Sequence, residues 1–188
     1  MRKASVGILA AAVCLVASGV LAQEGPEGMG GFYLGVGAAF VIDNFDIDAT
    51  PEPEFDDTYG LVLLGGLKFD PYFTGEFEFD WLEDFEQDNG PVEVGVTTYM
   101  LNLKASPVSW ETSVQPYALL GAGWMDAEAQ APGVDSKDSD FCGQAGLGLD
   151  LFPAGALSMG IRGSYVFGTG DVDEVQYTQI SGLVMFNF

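Results

Sequence analysis

Glu76, Glu78 and Asp80 stand at every second position of the segment Phe73 to Trp81. On an extended chain that spacing puts three carboxyl groups on one face, where two of them could act as general acid and base. Any polar strand face gives the same alignment without chemistry, so interior electrostatics is the preferred reading. The 188-residue chain contains no histidine. That excludes Ser-His-Asp triads, Cys-His pairs and histidine-ligated metals, and it leaves Cys142 unactivated, a small interior residue. Gly35-Val36-Gly37 and Gly121-Ala122-Gly123 precede no helical pattern and are not phosphate loops. No catalytic residue and no cofactor is expected.

A second group with chemical potential is Asp43, Asp46 and Asp48, close enough in sequence to share a divalent cation, although no EF-hand spacing exists and no metal site is certain. They belong to a wider pattern. Of the 28 acidic residues, 20 fall in four segments: 43–57, 83–93, 126–140 and 171–174. The plainer reading of these is a solvated acidic rim.

The formal charge of −22 argues against nucleic-acid binding, which needs a basic surface. At 48% hydrophobic and 18% charged, the chain is too apolar for a disordered acidic tail. Arg2 and Lys3, the apolar stretch Val6 to Val20, and Val20-Leu21-Ala22 form a secretory signal peptide, residues 1–22, cut after Ala22. The mature domain, residues 23–188, keeps only Lys68, Lys104, Lys137 and Arg162 against the 28 acids, a net charge of −24, and the single Cys142. One thiol makes no internal disulfide.

The elements that must position these residues have a period of two. Eight alternating segments lie between turn signals: Phe32 to Ile42, Tyr59 to Phe69, Phe73 to Trp81, Thr97 to Lys104, Val114 to Asp126, Phe141 to Leu151, Leu157 to Phe167 and Val175 to Phe188. Strands of about ten residues repeated in this way make an all-β protein. One face of each is aliphatic and aromatic. The other carries glycine, hydroxyls, amides and nearly every charge within the strands. A water-soluble carrier barrel of the lipocalin kind, the main rival fold, would enclose the apolar face. Here the polar, small-residue face fits the narrow interior of an eight-stranded antiparallel up-and-down transmembrane barrel with its apolar side chains in lipid. Val62, Leu64, Tyr117 and Leu119 fall on the inward parity although apolar; a β-bulge or an apolar patch in the lumen would explain them. A strict two-residue turn at Asp70-Pro71 would set Glu76 on the lipid face, so that turn must hold an extra residue or a bulge.

Connections alternate in length. Short ones follow the second and sixth strands and an intermediate one, 106–113, follows the fourth; long ones cover 43–57, 83–93, 127–140 and 168–174. Short turns belong on the periplasmic side, which places both termini there.

The signal peptide, Gly31-Phe32-Tyr33-Leu34-Gly35, Pro116-Tyr117-Ala118 with Gly121-Ala122-Gly123, and above all the ending Val184-Met185-Phe186-Asn187-Phe188 resemble the small OmpA/OmpX-like outer-membrane β-barrel family of Gram-negative bacteria. The resemblance covers almost all of the mature chain, with Gly182 one residue earlier than the usual glycine. It implies a monomer in the cell outer membrane, in contact with outer-membrane lipid and lipopolysaccharide. It also implies that Val184, Phe186 and Phe188 are read by the outer-membrane assembly machinery. Because the sequence ends at that strand, the peptidoglycan-binding domain of larger relatives is not expected. Lipid-modifying barrel enzymes generally use the histidine that this chain lacks.

Lys68, Lys104 and Arg162 share the inward parity with Glu76, Glu78, Asp80 and Asp150. Unpaired charges in a narrow barrel are costly, so these seven should form a salt-bridge network, with Arg162 gripping a carboxylate through two parallel hydrogen bonds. The expected function is structural or surface-interacting: a plugged barrel displaying acidic loops. The alternative is a narrow, cation-preferring channel for small solutes. If the acidic rim takes calcium or magnesium, millimolar metal should protect residues 43–57 from protease, and removing Asp46 and Asp48 together should abolish the protection. Cleavage indifferent to metal leaves the solvated rim.

Overall fold

Alternation of side chains across each strand is the local rule from which the architecture follows. The computed structural model describes residues 31–44, 57–86, 93–131 and 134–188. Among the described residues nine strands form: β1 (Gly31–Asp43), β2 (Thr58–Asp70), β3 (Phe73–Leu82), β4 (Phe85–Glu86), β5 (Glu93–Ala105), β6 (Val114–Ala131), β7 (Val134–Leu151), β8 (Leu157–Gly168) and β9 (Gln176–Asn187). β4 is a two-residue continuation of β3 that pairs with the start of β5, so eight strands make the full wall. Each pairs antiparallel with the next, and β1 pairs with β9 from Tyr33↔Asn187 to Asp43↔Tyr177, which closes the sheet. The expected closed, eight-stranded antiparallel up-and-down barrel is the observed fold.

At the seam, Gly31 has φ of +90°, and a Cβ there would meet the Phe188 carbonyl oxygen at 2.4 Å. Phe188 N–H donates to Phe32 O, so the last residue is tied to the first strand. The start of β1, the end of β9 and the turns after β2, β5 and β7 lie at one end of the barrel, the terminal end; β1, β4, β6 and β8 finish at the other, the loop end.

Outward side chains are apolar over the middle of the wall: Leu101 is 71% exposed, Leu147 69% and Leu120 68%. Aromatic residues bracket this band. Phe69, Phe73 and Phe188 ring the terminal end, with Phe32 stacked on Phe188. Trp81, Tyr99, Trp124, Phe141 and Phe167 ring the loop end, where Trp124 meets Phe141 edge-on at 4.7 Å. From Phe73 to Trp81 is about 27 Å along a strand at ~3.4 Å per residue. Tilted by roughly 40°, that length rises about 21 Å along the barrel axis, a little less than the ~25 Å apolar band of a membrane barrel.

Beyond the loop-end aromatics the pattern changes phase. On β6, Leu120, Ala122 and Trp124 point outward, but past Trp124 it is Met125 and Ala127 that are buried inside. On β5, Val94 and Val96 are buried inside, whereas Tyr99, Leu101 and Leu103 face out. The sheet therefore continues above the band as a water-facing β-structure with an apolar interior. This corrects two expected loops: residues 127–140 are largely a β6–β7 ladder reaching Ala131↔Val134, and 83–93 contains β4. The expectation of apolar-out alternation missed them because outside lipid the preference inverts.

The turn after β2 carries the extra residue its parity requires. The register slips between Lys68 and Asp70, so Phe69 is the bulged residue, Asp70 pairs with Phe73, and Glu76 faces the lumen. Val62 and Leu64, by contrast, sit in unbroken register opposite Asp80 and Glu78 and are buried. Tyr117 and Leu119 are likewise buried inside. Of the two explanations, the apolar patch in the lumen is the observed one.

Leu101 pairs with Phe77 and Ala122 at mid-wall. Leu101→Arg should cost ~2–4 kcal/mol in lipid vesicles, measured by denaturant unfolding followed on unheated gels. A neutral result would place that side chain away from the bilayer.

Candidate functional site

The lumen is the one place where the described charges are buried, and it is built in layers by strand register. Glu76 and Glu78 come from β3, Lys104 and Asn102 from β5, Asp150 from β7 and Arg162 from β8, all on inward positions and all 5% exposed or less. Strand alternation puts them inside; the curvature of the closed sheet then brings β3 opposite β8. Arg162 Nη1 donates to Glu78 and Nη2 to Glu76, so the guanidinium forks across two carboxylates. This differs from the expected grip on a single carboxylate: the residues two apart on β3 present one oxygen each to the planar fork. Asn102 Nδ2 donates to Glu78 Oε2 at 2.6 Å. Lys104 Nζ lies 2.6 Å from Asp150 Oδ2 and 3.7 Å from Glu76 Oε2.

Two tyrosines absent from the expected set complete this layer. Tyr33 O–H donates to Glu76 Oε2. The Tyr117 ring has Lys104 Nζ 3.9 Å from its centroid, and Arg162 Nε donates to its hydroxyl at 3.2 Å. Inward glycines make the space: a Cβ on Gly66 would meet Tyr33 Cζ at 2.1 Å, and one on Gly148 would meet Tyr117 Cζ at 2.4 Å. The readable signal was an aromatic residue on inward parity, and the register sets each directly opposite a glycine on the adjacent strand, Tyr33↔Gly66 and Tyr117↔Gly148. A π face near a desolvated cation is worth ~2 kcal/mol, so the rings hold cations where water is excluded.

The remaining expected members sit apart. Lys68 forms the floor at the terminal end, donating to Pro153 O and, at 2.6 Å, to Asn187 Oδ1. Asn187 Nδ2 in turn donates to Gly155 O, so the floor joins β2, the β7–β8 turn and β9. Asp80 lies toward the loop end, fully buried; Thr98 Oγ1 donates to its Oδ2 at 2.9 Å, and no cation reaches it among the described residues. Cys142 is buried with its sulfur 3.2 Å from Met100 Sδ. Of the three residues expected to carry an assembly signal, Phe186 and Phe188 face outward and Val184 is half-buried on the same face. Asp43 ends β1; Asp46, Asp48 and the expected signal segment 1–22 lie outside the described residues.

Above the ions the lumen turns apolar. Val41, Leu82, Phe85, Val96, Met125 and Tyr177 are all 2% exposed or less and, with Val94 and Val172, pack across its loop end. The lumen is thus obstructed twice, by a paired ionic layer and by an apolar layer. Among the described residues no cluster of three or more Asp, Glu, Cys or His gathers to hold a metal.

The sequence profile of the outer membrane protein beta-barrel domain family matches residues 8–188. No curated protein matches the sequence. Among solved structures, neisserial surface protein A (NspA) is similar over 86% of this chain and 100% of its own, with TM-score 0.68 at 14% identity. The N-terminal β-barrel domain of Pseudomonas aeruginosa OprF aligns over 83% of this chain and 97% of its own, TM-score 0.55, 12% identity. Yersinia pestis Ail, the attachment invasion locus protein, in complex with the heparin analogue sucrose octasulfate, aligns over 84% and 97%, TM-score 0.53, 17% identity. Identities this low speak to the fold.

Arg162→Ala should strand two buried carboxylates and destabilise the barrel by ~3–5 kcal/mol, read as a lower denaturant midpoint on unheated gels. A double variant, Arg162→Met with Glu78→Gln, should recover much of that loss. If Arg162→Ala unfolds like wild type, the fork is not a stabilising contact.

Proposed function

The chain belongs to the outer membrane protein beta-barrel domain family, and we propose that it serves as a closed outer-membrane barrel whose work is done by the loops it displays. One observation carries this reading: the lumen is filled from wall to wall by the Arg162–Glu76–Glu78 and Lys104–Asp150 pairs, with the apolar layer of Leu82, Phe85, Val96 and Met125 above them. An eight-stranded barrel is just wide enough for its side chains to fill it. In this reading residues 1–22 direct secretion and are removed. The outer-membrane assembly machinery takes up the chain through Val184, Phe186 and Phe188, and the loop end faces outward with both termini periplasmic. Short turns at the terminal end and a continued, water-facing sheet at the loop end support that orientation.

The chemistry of a partner follows from charge. The loop segments hold 20 of the 28 acids, so a polyanion such as the heparin analogue held by Ail would be repelled. A basic protein surface, or lipopolysaccharide phosphates bridged by divalent cations, suits the rim. The barrel would act as a monomer in outer-membrane lipid, and no catalytic step forms part of this reading, since the lumenal acids Glu76, Glu78 and Asp150 are engaged by cations.

The alternative, a narrow cation-preferring channel, has one observation in its favour: four lumenal carboxylates, Glu76, Glu78, Asp80 and Asp150, face three cations. Conductance of the refolded protein in planar bilayers separates the two. The closed barrel should give no steady current. Steady large conductance, unchanged by Arg162→Ala, would overturn it in favour of the channel.

A further inference from the structure

The lumenal charges do not balance. Glu76, Glu78 and Asp150 are three carboxylates served by two cations, Arg162 and Lys104, and the third buried cation, Lys68, is held at the floor by Pro153 O and Asn187. Asp80 is the fourth carboxylate, fully buried, with one hydrogen bond from Thr98 to Oδ2 and none to Oδ1. Around it lie further buried oxygens that accept nothing: Glu78 Oε1, Gln144 Oε1, Gln179 Oε1 and the Tyr177 hydroxyl. Gln179 Nε2 donates to Ser181 Oγ at 2.9 Å with its amide against Asp80, and Gln144 Nε2 donates to Ser164 Oγ at 3.0 Å with its amide against Glu78; each serine hydroxyl can equally donate to an amide oxygen in that place. Either amide can present its oxygen rather than its nitrogen to that space by a half-turn of its terminal bond. The layer is bounded by the ion pairs below and by Val41, Val62, Val166 and Met100 beside and above it.

We propose that this mid-lumen layer binds one dehydrated alkali cation, Na⁺ or K⁺ in class, held by Asp80 Oδ1 and Glu78 Oε1 with the side-chain oxygens of Gln179 and Gln144. A ring of hard oxygens with no thiolate or imidazole selects alkali or alkaline-earth ions over transition metals. The charge decides between these two. Over the whole lumen Glu76, Glu78, Asp80 and Asp150 face Lys68, Lys104 and Arg162, so about one negative charge is left over, which a monovalent ion neutralises and a divalent ion would overshoot. The next carboxylate, Glu76, is held by Arg162 and Tyr33 with Lys104 at 3.7 Å, so no third carboxylate is free to hold a divalent ion. Because the lumen is packed at both ends, the ion is taken up as the barrel closes. The site stands independently of the loops and of whether the barrel conducts.

The test is refolding of the whole protein from urea into detergent at constant ionic strength, in sodium, potassium or rubidium chloride or in the chloride of N-methyl-D-glucamine, which is too large to enter. Thermal midpoints are read from the heat-sensitive gel shift. A small alkali cation should raise the wild-type midpoint saturably over the organic cation. Asp80→Asn should lose that dependence and be at least as stable as wild type in the organic salt. Equal wild-type midpoints in all salts would overturn the site in favour of a proton or water. A cation effect that survives Asp80→Asn would assign it to the acidic rim and overturn the site as well. Should Asp80→Asn fail to fold, rubidium-grown crystals of the wild type decide: an anomalous peak beside Asp80 Oδ1 supports the site, and its absence at full rubidium replacement refutes it.

Discussion

Every polar group of a backbone crossing hydrocarbon must be satisfied within the protein, because an unsatisfied one costs several kcal/mol and no water is there to help. For strands the solution is a closed ladder, and here closure rests on β1 pairing with β9 and on Phe188 reaching back to Phe32. Gly31 permits that approach with its positive φ. Once the sheet closes on eight full strands the interior diameter is fixed, and it is small. Whatever the sequence places on inward positions must then fit, and must find partners, in a space with little room for bulk water.

The two obstructing layers are answers to that confinement in different surroundings. Within the bilayer the outward positions are taken by Leu, Phe and Ile, and the inward ones can be polar because opposite walls supply complementary charges. Arg162 reaching from β8 to Glu76 and Glu78 on β3 is the central example. A guanidinium suits this task, since its planar donors can address two acceptors at once. Above the aromatic belt the outside is water, so Asp126 and Glu128 turn outward and Met125 and Ala127 fill the inside. That upper part holds together as a soluble β-protein does, by burial of apolar area. The same barrel wall passes from one regime to the other without a break in hydrogen bonding.

Small residues make the packing possible at specific places. Gly66 and Gly148 leave room for the rings of Tyr33 and Tyr117, and those rings line the path between cations and carboxylates. Tyrosine at such positions does two things: its hydroxyl satisfies a buried partner, and its face lowers the cost of a desolvated ammonium. The structural likeness to NspA, OprF and Ail at identities of 12–17% reflects the closed wall. The filling of the lumen and the charge of the loops are where barrels of one fold diverge.

Much of this was legible in the sequence because a strand's faces are set by counting in twos. The alternation of Phe77, Phe79 and Trp81 with Glu76, Glu78 and Asp80 fixes which side of β3 meets lipid. The same counting requires the extra residue that appears as the bulge at Phe69. Counting in twos also assumes one solvent outside. Where lipid gives way to water the sign of the preference reverses, so the upper part of the β6–β7 ladder and β4 read as loops. Partner choice lay further out of reach. Arg162 and Glu78 are 84 residues apart, and only the circumference and register of the closed sheet bring them face to face. So the sequence by itself determined the strands of the apolar band, their facing and the inward charges, since these are local consequences of backbone geometry. Tertiary structure alone decided which charges pair, that Asp80 is left over, and that the loop end is sealed by apolar side chains, because each depends on distances across a lumen that no linear spacing encodes.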